Sequence, residues 1–169
     1  LLREVYNLAR MPPTSANGQP MRVVFVKSPE AKERLKPLLA PGNVDKVMAA
    51  PVTAIVAYDL AFYDQLPKLL PHIDARSRLI TRPPEEIARL AQQSGSLQAG
   101  YLILAARALG LDCGPIGGFD REKVDEAFLS GTQWKSNLLV NLGYGDHTQL
   151  APRRDRKSTR LNSSHIPLS

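Results

Sequence analysis

One stretch constrains this chain more than any other. From Pro84 to Gly110, PEEIARLAQQSGSLQAGYLILAARALG has no interior proline, begins with acids at Glu85 and Glu86, and ends on glycine. Acids complement a helix N-terminus, and a glycine just past the last turn supplies the left-handed residue that ends it. The pattern predicts one long helix. Its second half, LQAGYLILAARALG, is apolar around most of its circumference, and such a surface must be covered by a core or by another subunit.

The remaining elements mix strands and helices. Leu1, Leu2, Val5, Leu8 and Ala9 recur at helical spacing over residues 1–11. MRVVFVK is a β-branched run read as a strand, and PVTAIVAYD a second strand, apolar nearly throughout and expected buried on both faces. SPEAKERLKPLL begins with Ser28 as N-cap and Pro29 at the first helical position; PGNVDKVMAAP predicts a short helix capped by Asn43. Residues 60–84 hold four of the fourteen prolines and read as irregular, the signature of a lid or binding loop. After the long helix come a glycine-rich stretch, LDCGPIGGFD, a helix REKVDEAFL capped by Asp120, and a last strand in KSNLLVNLGYGD. Without regular βαβ alternation, the fold class is α+β.

The 169 residues contain 43% hydrophobic residues and no apolar run long enough to cross a bilayer, which suits one domain over residues 1–153 without a membrane partner. The chain opens abruptly, as though inside a helix. The stretch from Asp155 to Ser169, DRKSTRLNSSHIPLS, resembles the translation of a sequencing-adapter oligonucleotide; residues 154–169 are read as a non-native or disordered tail. A genuine basic, serine-rich tail is the other reading. The tail carries one acid and three bases, so of the net charge of +6, +4 remains on residues 1–154, scattered rather than striped. That argues against nucleic acid as a partner. A single cysteine, Cys113, excludes an intrachain disulfide framework and suits the cytoplasm.

Candidate chemistry concentrates in two segments. RMPPTSANGQP sets Thr14, Ser15, Asn17 and Gln19 on a loop stiffened by Pro12, Pro13 and Pro20, more a binding surface than a spacer. CGPIGGF has two readings: a turn requiring positive φ, or a backbone surface approached closely by a flat or charged ligand. No dinucleotide fingerprint, P-loop, C-x-x-C, paired histidine or G-x-S-x-G motif is present. His72 and His147 stand alone in loops, and Cys113 has no basic neighbour in sequence. An enzyme built from these residues would place its reactive atom on a cofactor.

PPTSANGQP before a strand, LQAGYLILAARALGL before CGPIGGFD, and NLLVNLGYGD resemble, in order and spacing, the nitroreductase family of flavin enzymes over essentially all of residues 1–153. PPTSAN, LPHIDARS, ALGLDCGP and GFDREKVDEAF look most like its malonic semialdehyde reductase branch. The resemblance implies an α+β, mostly antiparallel nitroreductase fold, truncated at both ends, in a homodimer with one FMN at each end of the interface. It assigns Thr14, Ser15, Asn17 and Gln19 to the partner's FMN; Pro115, Ile116, Gly117 and Gly118 to the isoalloxazine face; and Arg153 to the FMN phosphate. Gly117 stands where many relatives carry an acid. The family segment that would precede Leu1 and supplies much of the phosphate grip is missing here, so weaker FMN binding is expected.

The implied activity is hydride transfer from NADPH or NADH to flavin N5, then, in ping-pong order, to an acceptor. Malonic semialdehyde is preferred, giving 3-hydroxypropanoate; nitro and quinone compounds are the alternative, and a non-catalytic flavin-binding or dimerisation module is a third reading. An acidic acceptor needs a cation. Arg76 is the candidate with His72 nearby, against the alternative that Arg76 pairs with Asp74 or faces water.

Overall fold

Strand β2, Val52–Asp59, is the axis of the molecule. Ala54 and Val56 face one side of the sheet and Ile55 the other, each fully buried, so the unbroken apolar run is a strand covered twice. In this computed structural model, which describes residues 1–146 and 148, β2 pairs with β1 (Met21–Val26) and β4 (Trp134–Gly143). β4 pairs in turn with β3 (Asp112–Ile116), giving the order β1-β2-β4-β3 with every pair antiparallel.

The two buried faces sort the helices. α1 (Leu2–Ala9) and α6 (Pro84–Ala108) cover one face, where Val5, Ala9, Ala99, Leu102 and Ala106 meet Ala54, Val56, Val140 and Leu142. α2 (Pro29–Leu35), α3 (Val44–Ala49) and α7 (Arg121–Phe128) cover the other, where Leu35, Val47 and Val124 meet Val26, Ile55, Ile116 and Leu139. Each of the buried valine, leucine and isoleucine side chains contributes roughly 1.5–3 kcal/mol. This is the α+β architecture expected.

Two helix starts and one helix end follow the sequence closely. Ser28 Oγ accepts from the Ala31 amide at 3.2 Å, Asp120 Oδ1 accepts from Lys123 at 3.1 Å, and Gly110 takes φ +83 after α6. Three other expectations are corrected. Residues 60–84 fold into a 3-10 turn at Phe62–Gln65, then α4 (Leu66–Leu69) and α5 (Ala75–Leu79), around a small core of Phe62, Leu66, Leu79 and Ala91. The prolines masked its periodicity because they sit at helix starts and bends. The start of the glycine-rich stretch is an edge strand rather than a turn, a position that tolerates Pro115. Asn43 precedes α3 without capping it by its side chain.

Among the described residues, no helix is long and apolar enough to cross a membrane. Arg153, His147 and residues 154–169 lie outside the described residues.

Candidate functional site

The polar loop is held in an unfavourable backbone conformation. Ala16, Asn17 and Gln19 have φ of 51°, 49° and 47°, a left-handed region that costs each non-glycine residue about 1–2 kcal/mol. Strain of this kind persists only where the surroundings over-determine it. Here Thr14 Oγ1 accepts from the Gln19 amide at 3.1 Å, and Asn17 Nδ2 donates to the Leu69 carbonyl at 2.8 Å. Gln19 Nε2 donates to Asn17 Oδ1 at 2.9 Å, while Gln19 Oε1 accepts from Gln98 Nε2 at 2.6 Å. Gln98, 2% exposed, closes the relay by accepting from the Met21 amide at 2.9 Å. A polar residue on the inward face of the long helix therefore organises the loop. The glutamine inside LQAGYLIL was the available signal for it.

Asn17 and Gln19 open onto a cleft of about 610 Å³, which Arg10, Lys68 and Arg22 also line. Arg22 is committed to Asp59, Nη2 to Oδ2 at 2.8 Å. Arg10 and Lys68 make no ion pair among the described residues, so this cleft is basic. The two are far apart in sequence and only the fold brings them together.

The glycine-rich segment belongs to a different cleft of about 710 Å³. Gly114, Pro115 and Ile116 line it with Asn43, Lys46 and Cys113. The reading of these glycines as a turn that requires positive φ does not hold, because Gly114, Gly117 and Gly118 all avoid it. Gly118 is small for an internal reason: a Cβ there would lie 2.6 Å from Asn43 Nδ2, which donates to the Gly118 carbonyl at 3.0 Å. Gly117 has open space where its Cβ would be. The amide groups of Gly117 and Gly118 donate to no acceptor among the described residues. Two adjacent backbone donors on a side-chain-free strip can hold a planar heterocycle with acceptors along one edge. Lys46 is exposed and without an ion pair among the described residues. It adds positive charge to that cleft, which Asp112 and Asp146 also line. Burial raises the Cys113 thiol above its ordinary value, so it stays protonated there.

Within one chain the two clefts share no lining residue. The polar loop and the glycine-rich segment thus line separate clefts. Arg76 joins neither. It pairs with Asp64, Nη2 to Oδ1 at 2.8 Å, rather than with Asp74, which caps α5 by accepting from Ser77 at 3.2 Å. His72 is exposed in the bend between α4 and α5.

Known proteins resemble this chain in sequence and in fold. A protein of Stenotrophomonas maltophilia (strain K279a) named "Putative NADH dehydrogenase/NAD(P)H nitroreductase Smlt0482" is 58% identical over 158 residues, covering 94% of this chain and 80% of its own. A protein of Stutzerimonas stutzeri (strain A1501), "Putative NADH dehydrogenase/NAD(P)H nitroreductase", is 56% identical over 156 residues, covering 92% and 79%. Among solved structures, a "putative nitroreductase in complex with FMN" from Exiguobacterium sibiricum superposes with a TM-score of 0.75 at 25% identity, covering 96% of this chain and 82% of that one. The Nitroreductase family profile matches residues 1–144, and the chain belongs to the nitroreductase family.

Proposed function

We propose that this protein is an NAD(P)H-dependent FMN oxidoreductase whose sites are completed between two copies of the chain. The observation that carries the reading is the pair of Gly117 and Gly118 amides, which donate to no acceptor among the described residues and directly follow the Gly114, Pro115 and Ile116 wall of the cleft that Lys46 also lines. They fit FMN: the amides match acceptor atoms along one edge of the ring, and the ammonium offsets negative charge gained on reduction. Bound FMN would supply the hydride relay between nicotinamide and acceptor.

The other half of the site is the polar loop. Thr14, Ser15, Asn17 and Gln19 would reach the FMN of the second copy, with Arg10 and Lys68 adding positive charge to the cleft. Arg153 remains the candidate for the phosphate. The second copy is supported by α6, where Leu97 and Leu104 are 47% and 68% exposed and follow one another at a two-turn spacing. Gly100 lies between them with nothing within 4 Å of an added Cβ, so another helix can approach closely. Leu8 and Met11, 47% and 73% exposed, extend the apolar surface at the end of α1.

Malonic semialdehyde is the proposed acceptor. A broader nitro- and quinone-reductase activity is favoured by one feature, the exposed Pro115 and Tyr144 lining the larger cleft, which can receive flat aromatic rings. The test is the visible spectrum of the FMN-loaded protein under anaerobic NADPH. Bleaching, followed by recovery on adding malonic semialdehyde or menadione, supports the reading and ranks the acceptors. A yellow protein that neither NADPH nor NADH bleaches overturns it.

A further inference from the structure

A smaller cavity of about 200 Å³ lies where the polar loop meets the excursion between β2 and α6. Ser15 and Ala16 form one wall, and Phe62, Leu79 and Leu90 form an apolar floor. Arg78, Arg82 and Ser94 complete it. Arg82 has only a loose pairing with Glu86 at 3.6 Å. Arg78 makes no ion pair or side-chain hydrogen bond among the described residues; Asp74 acts on it only through longer-range attraction. Ser94 is 7% exposed, yet its hydroxyl has no hydrogen-bond partner among the described residues. A hydroxyl that deep normally finds a partner. It is not sealed off either, since no fully enclosed side-chain polar atom of the described residues lacks a partner. Ser94 lines the cavity.

We infer that this cavity binds a short aliphatic carboxylate, with the carboxylate on Arg78 and Ser94 and the carbon chain on Phe62, Leu79 and Leu90. The chemistry is complementary on both sides. A planar guanidinium takes two carboxylate oxygens and the serine hydroxyl can donate to one of them. The apolar floor rewards a few methylenes, and the volume excludes a nucleotide. The assignment of this carboxylate as the acceptor's own rests on the reductase reading above, because Ser15 and Ala16 adjoin Asn17 of the cofactor-facing loop. It moves recognition of an acidic acceptor from Arg76, which Asp64 holds, to Arg78.

The test has two arms. In the first, the full chain is titrated with sodium butyrate, 1-butanol and inorganic phosphate while amide resonances are followed by NMR. Butyrate is expected to shift Ser15, Ala16 and Ser94, with butanol and phosphate far weaker. Arg78→Gln should weaken butyrate about tenfold, the loss expected for a hydrogen bond to a charged group, and Ser94→Ala by a smaller factor. Arg89→Gln, exposed on the same helix as Ser94, should change nothing. Equal binding of butanol or phosphate, or an unaltered Arg78→Gln titration, would overturn the site.

In the second arm, Arg78→Gln is assayed with malonic semialdehyde and with menadione. KM for the semialdehyde should rise about tenfold with kcat retained, by the same charged-hydrogen-bond scale. Equal effects on both acceptors would overturn the acceptor role. A wild-type protein inactive with both acceptors would defeat the reductase reading, while the butyrate titration would still decide the cavity.

Discussion

The Asn43 carboxamide donates to the Gly118 carbonyl across 3.0 Å, and a Cβ on Gly118 would fall 2.6 Å from that same nitrogen. Gly118→Ala is therefore expected to displace Asn43 and unfasten α3 from the glycine strip, destabilising the fold by about 1–3 kcal/mol. Gly117→Ala meets open space at an ordinary φ and should stay within about 0.5 kcal/mol of wild type. FMN affinity should move differently, falling for Gly117→Ala because the new methyl stands on the proposed ring face. Urea unfolding and flavin fluorescence titration separate the two effects; equal destabilisation by both variants would contradict the account.

Gln98 ties the helix to the polar loop through the Met21 amide and Gln19. Gln98→Leu keeps the volume but strands a buried amide donor, so a loss of about 1–3 kcal/mol is expected. The loop should also lose its left-handed set, visible as changed amide shifts at Asn17 and Gln19. Unchanged stability and unchanged shifts would show that the loop holds itself.

Lys32 is 5% exposed and has no carboxylate at its ammonium among the described residues. It donates instead to the carbonyls of Val47, at 2.6 Å, and Ala50, at the end of α3, and to Thr53 Oγ1. Burial lowers its pKa below the ordinary 10.5. Between the lowered value and 10.5 the unfolded chain binds more protons than the folded one, so stability rises with pH across that window. Lys32→Met lacks this rise. The wild-type advantage in unfolding free energy should therefore grow as the pH rises through the lowered pKa toward 10.5. A shrinking advantage would contradict a buried ammonium.

Cys113 lines the larger cleft, and burial keeps its thiol protonated. Its reaction with a disulfide reagent should be slower than that of a free thiol at neutral pH, and slower again when FMN is bound. Protection by FMN reports occupancy of that cleft without any turnover. Labelling indifferent to saturating FMN would place the cofactor elsewhere.

Much of this was legible before any coordinates. Ser28, Asp120 and Gly110 act locally, so their positions could be read from neighbouring residues alone. β2 was legible because burial on both faces leaves an unbroken apolar run. Asn43 misled because a cap and a long-range amide donor look the same in sequence. Its partner Gly118 is 75 residues away. The α4–α5 excursion was obscured by prolines that mark helix starts as readily as loops. Of the site, the polar loop and glycine strip were visible as composition. Gln98, Lys46 and Arg78 matter only through what the tertiary fold sets beside them, and Arg76 lost its expected partner to an acid twelve residues upstream.

The edge position of β3 also bears on how the molecule behaves when crowded. Pro115 offers no amide hydrogen to an incoming strand, so cross-β growth from that side of the sheet meets a missing rung. Along this edge, a binding surface can stand exposed without offering a full row of amide donors to another chain.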